Sequence, residues 1–122
     1  MNVIIANEAR DMLSQLNIDV IKSVTGVHSA DEIVEMFRNF FFARMILDIT
    51  AIENYNDITN IQKISIGLDA DKIILVLPNN EMFSSSSYLS KIISMGIYNF
   101  TTTLDGVKYC LEHPNTYKDV AH

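Results

Sequence analysis

The stretch Ile73-Ile74-Leu75-Val76-Leu77-Pro78-Asn79-Asn80 decides the fold. Its first five side chains are all apolar, so it shows no polar face at a period of two or of 3.6 residues. A run this short and this rich in β-branched residues reads as a strand covered on both faces, and Pro78 with two asparagines stops it. Strands of that kind belong to parallel sheets, where helical crossovers cover both faces. The same signature recurs at Asn2 to Ala6, at residues 18–24 with Val20, Ile21 and Val24 as apolar members, at Met45-Ile46-Leu47 ending on Asp48, and at residues 97–100.

Between these runs the apolar spacing turns helical. Asn7 is placed to cap a helix carrying Met12, Leu13 and Leu16. Ser29-Ala30-Asp31-Glu32 has the capping-box form and precedes Ile33, Val34, Met36, Phe37, Phe40 and Phe41. Asp57 precedes Ile58, Ile61, Ile64 and Leu68, with Gly67 in or just past the last turn. The four serines 84–87 contain the start of a helix with Tyr88, Leu89, Ile92 and Ile93 in phase, stopped by Gly96. Thr102 or Thr103 caps a last helix that turns Leu104, Val107, Cys110 and Leu111 inward, with Pro114 beyond its end.

Five strands alternating with five helices predict an α/β three-layer sandwich. Right-handed crossovers then favour a five-stranded parallel sheet of order 2-1-3-4-5, the flavodoxin-like arrangement. Residues 1–113 supply this domain. The polar stretch 114–122 carries no apolar stripe and reads as the start of a linker to a further, C-terminal domain.

Composition narrows the function. The 122 residues are 48% hydrophobic and 20% charged, an ordinary globular balance, and the formal net charge is −6. An acidic surface repels a phosphate backbone, so the chain is not expected to bind nucleic acid. One cysteine, Cys110, excludes an internal disulfide and a cysteine zinc site and fits a reducing, cytoplasmic setting. No apolar run approaches the ~20 residues of a membrane span, so direct membrane insertion is not expected. His28, His113 and His122 are too scattered for a metal site, and none is predicted.

In an open α/β sheet, ligands bind at the carboxyl ends of the strands. Ala6, Asn7 and Glu8, then Asp48, then Pro78 and Asn79, then Thr101 to Thr103 stand there. They include no histidine, cysteine or glycine-rich phosphate loop, so no cofactor and no enzymatic activity are expected. An FMN-type ligand would need a Ser/Thr/Gly-rich loop after the first strand, which Asn7-Glu8-Ala9-Arg10 is not.

Met45-Ile46-Leu47-Asp48-Ile49-Thr50 resembles the phosphoacceptor segment of two-component receiver domains, and Ser90 to Thr103 resembles the receiver stretch from the fourth helix into the fifth strand. A working receiver adds two acidic residues after strand one, a Ser or Thr after strand four and a lysine after strand five. Here Ala6 and Asn7, Pro78, and threonines stand at those places. Only Asp48 matches, which implies a degenerate receiver whose phosphoacceptor equivalent is inactive and binds magnesium weakly. The stretch from Gly96 to Tyr109, with His113-Pro114-Asn115, is similar to the N-terminal atypical receiver of MinD/ParA-type ATPases, such as those of Tad pilus assembly. That resemblance implies a non-catalytic bacterial domain for protein interaction or localisation, whose partner is another protein or its own ATPase domain. The alternatives are a receiver phosphorylated on Asp48 and a flavodoxin-like binder of a small ligand.

Two places are expected to meet a partner. Phe40-Phe41-Phe42 cannot all face one core, so at least one of the three points outward or into a partner. Receivers pair through their fourth helix, fifth strand and fifth helix; the resemblance therefore places Tyr88, Met95, Tyr98 and Tyr109 around an interface, with a weak homodimer as one outcome.

Overall fold

The computed structural model describes residues 1–121, and the apolar runs form one five-stranded sheet. The strands are β1 (Asn2–Ala6), β2 (Val20–Thr25), β3 (Arg44–Asp48), β4 (Ile73–Val76) and β5 (Asn99–Thr101). The helices are α1 (Arg10–Leu13), α2 (Ala30–Phe37), α3 (Ile58–Gly67), α4 (Glu81–Ser84), α5 (Ser86–Ser94), α6 (Leu104–Glu112) and α7 (Tyr117–Val120). Every strand pair is parallel and the order is β2-β1-β3-β4-β5, the expected flavodoxin-like arrangement.

Alternation within the strands divides the core into two layers. Val3, Ile5, Met45, Leu47, Ile73 and Leu75 meet α2, α3, α4 and α5 through Ile33, Phe37, Ile61, Ile64, Phe83 and Ile92. Ile4, Ala6, Ile46, Ile74 and Val76 meet Leu13 of α1 and Val107 and Cys110 of α6. The second layer is the thinner one, because α1 is a single turn.

Local signals placed the helices well. Ser29 and Glu32 form the reciprocal capping box. Asp57 caps α3, Ser85 caps α5 and Thr103 caps α6. Gly96 follows α5 with φ +87°, a conformation that disfavours any side chain. Gly106 lets α6 sit against β5, since a Cβ there would lie 1.7 Å from Thr101 Oγ1.

Other expectations are corrected. Asn7 does not cap α1, whose N-cap position is Ala9. Strand β2 is not covered on both faces: it is a sheet edge, with Val20 41% and Ile21 44% exposed, because a one-turn α1 cannot reach across it. A bulge leaves Ile21 outside the pairing of Val20 with Asn2 and Lys22 with Val3. That bulge and the exposed Lys22 blunt the open edge. Phe40 and Phe41 lie beyond α2 in the loop to β3. An additional turn, α4, precedes α5, and β5 starts at Asn99 rather than at residue 97.

The segment after α6 contains α7 and folds back on the sheet edge. Asn115 N–H donates to Asn99 Oδ1 (2.8 Å), Asn115 Nδ2 donates to the Tyr98 carbonyl (3.1 Å), and the Tyr117 ring packs edge-on against Tyr98. No periodicity announced this helix, because its hold on the domain is polar and aromatic.

Candidate functional site

Strand β3 delivers Asp48 to the carboxyl edge of the sheet, beside β1, where the crossovers diverge and ligands enter open α/β sheets. The side chain is only 2% exposed. Oδ1 accepts from Thr50 N (3.0 Å) and Thr50 Oγ1 (2.8 Å), and Oδ2 accepts from Asn7 N and Ala9 N, both at 2.8 Å. A carboxylate offers about four lone-pair sites. All four are matched by donors of the protein itself.

Thr50 completes the closure. Its Oγ1 accepts from Glu8 N (3.0 Å) while giving its proton to Asp48, and its carbonyl accepts from Asn7 Nδ2 (3.0 Å). Three successive N–H groups, those of Asn7, Glu8 and Ala9, thus terminate on the end of β3. These are donors of the loop that leads into α1, which no strand or helix pairs. Asp48 supplies from across the sheet the acceptor expected of Asn7, whose own side chain is spent on the Thr50 carbonyl. The next loop is sealed too: His28 N–H donates to the Ala51 carbonyl and Glu53 N–H to the His28 carbonyl, through a parallel bridge between His28 and Ile52.

Of the residues at the other receiver-like positions only Asn7 bonds Asp48, and it does so through its backbone N–H, not its side chain. Glu8 is exposed, Pro78 is half-buried, and Thr103 is committed to capping α6. Among the described residues no group of three His, Cys, Asp or Glu could hold a metal. Burial pushes the Cys110 thiol pKa up, which keeps it protonated and unreactive.

The expected interface residues separate into surface and core. Phe41 is 71% exposed and Tyr109 58%, whereas Phe42 is buried and Phe40 half-buried. Tyr98 and Met95 are half-buried. Tyr88 does not face a partner: it is 7% exposed and packs edge-on against Phe83, which neighbours Tyr55. Helix α5 turns it inward in phase with Ile92.

Sequence reading missed Thr50 and the second role of Asn7. One signal was present: Asp-Ile-Thr occurs at 48–50 and again at 57–59. Asp57 Oδ1 accepts from Thr59 N (3.0 Å) and Oγ1 (2.8 Å), the same turn on the surface. No helix among the described residues is long and apolar enough to cross a membrane. No family model, no curated protein and no solved structure matches the chain.

Proposed function

We propose that this chain is a non-catalytic, pseudo-receiver domain that works through protein contacts or localisation, as the N-terminal part of a MinD/ParA-like ATPase. The observation that supports this reading is the Asp48 carboxylate. Phosphoryl transfer needs an oxygen free to attack and a cation beside it to neutralise the incoming charge. Oδ2 of Asp48 instead holds the β1–α1 loop and Oδ1 is taken by Thr50, and no ion pair among the described residues places a lysine or arginine on them. Phosphorylation there would break the network that closes this end of the sheet. The test is incubation with magnesium and acetyl phosphate, read by intact mass and peptide mapping. The expected result is an unmodified chain; one phosphoryl group mapped to Asp48 would overturn the reading in favour of a working receiver. The tie to an ATPase is tested by the gene: a Walker-type loop encoded after His122 is expected, and a reading frame without one removes that part.

A further inference from the structure

We infer that this domain associates head to tail with further copies of itself, the Phe41 ring of one copy seating in the groove between α5 and the α7 segment of the next. Phe41 is the knob. It stands in the loop between α2 and β3, at the amino end of the sheet, 71% exposed. Its ring carries a cation, since Lys72 Nζ lies 5.2 Å from its centroid. An exposed aromatic side chain is the residue class enriched at interfaces.

The groove is the hole, and it lies at the β5 edge of the sheet. It has a volume of about 520 Å³, with Leu89 and Ile93 of α5, Phe100 of β5 and Val120 after them as its apolar lining. The exposed Asp119 belongs to the same lining. The Thr116 N–H and hydroxyl hold its carboxyl below the usual range, so it is ionised at neutral pH. Apolar walls with a fixed carboxylate complement an aromatic ring that travels with an ammonium group. On a chain of net charge −6, that match favours this pairing over contact between two acidic faces.

Knob and hole are different patches, so the contact is heterologous and an open assembly keeps one free knob and one free hole at its ends. A single ring buried with one charge pair gives a weak contact, with association expected near ~1 mM rather than micromolar. The inference goes beyond the interaction-domain reading and stands on these two surfaces alone; its failure would leave the phosphoryl-transfer test of that reading untouched.

Sedimentation velocity over a concentration series tests it. The wild-type sedimentation coefficient is expected to rise with concentration. Phe41→Ser removes the knob and Ser90→Trp, at a lining residue of the groove, fills the hole, and each variant alone is expected to remain monomeric. Their equimolar mixture retains one intact knob and one intact hole, so it is expected to form a dimer and nothing larger. If Ser90→Trp lowers the unfolding midpoint, Val120→Glu replaces it as the hole variant. A wild-type chain that stays monomeric at ~1 mM overturns the inference, as does either variant associating like wild type. A mixture of folded variants that stays monomeric also overturns it.

Discussion

Asp48 Oδ2 lies 2.8 Å from the backbone nitrogen of Asn7, a residue 41 positions earlier in the chain. This bond and its neighbour to Ala9 turn the carboxylate at the sheet's switch point into a clamp on the start of α1. A group in the usual place for chemistry is thereby consumed by structure.

Asp48→Asn is expected to cost about 2–4 kcal/mol, because buried hydrogen bonds to a charged group are strong and costly to break. The amide keeps an acceptor for Thr50 but sets an NH₂ against the N–H groups of Asn7 and Ala9. Urea unfolding measures it. A loss under about 0.5 kcal/mol, the level of an ordinary surface change, would mean the carboxylate is not the clamp described.

Gly106→Ala should destabilise, although alanine is normally the better helix former by about 1 kcal/mol. The added Cβ would lie 1.7 Å from Thr101 Oγ1 and 2.6 Å from Thr101 Cβ, so α6 must lift from β5. Overpacking of this kind costs about 1–3 kcal/mol. In the background of Thr101→Ala the penalty should shrink but persist, because the Cβ contact remains. Thermal unfolding of the two single variants and the double variant reads this coupling.

Tyr88→Phe should stabilise the domain. The hydroxyl is buried with no hydrogen-bond partner among the described residues, a cost of about 1 kcal/mol or more. Desolvation also pushes its pKa up to about 12, above the ~10 of an unfolded chain. The folded state therefore favours the protonated phenol. That contribution is complete below pH ~10 and is lost as pH rises from ~10 through 12. Alkaline unfolding curves of wild type and Tyr88→Phe should diverge in this window; parallel curves would show that Tyr88 is solvated.

Asn99→Ala should release the tail. Asn99 is 3% exposed, and its Oδ1 accepts the Asn115 N–H. Losing that acceptor should cost about 1 kcal/mol and speed hydrogen exchange at residues 115–121, with the sheet amides largely unchanged. Equal exchange of the tail in both proteins would show that the Tyr98–Tyr117 contact suffices to hold it.

The sequence by itself determined the sheet and most helix starts. Short apolar runs such as Ile73 to Leu77 are legible because burial on both faces leaves no other period. The caps at Ser29, Asp57, Ser85 and Thr103 are legible because their acceptors lie within three residues of the donors. Tertiary structure decided what depends on distant partners. The apolar run of β2 looked like those of β1 and β3, yet an edge position beside a one-turn α1 left it in water. Tyr88 and Tyr109 were equal candidates in sequence, and helix phase buried one and exposed the other. The two Asp-Ile-Thr turns are identical as sequence and make the same two local hydrogen bonds. Only the return of β1 beside β3 gave Asp48 two further donors across 41 and 39 residues, a distance over which no local pattern carries information.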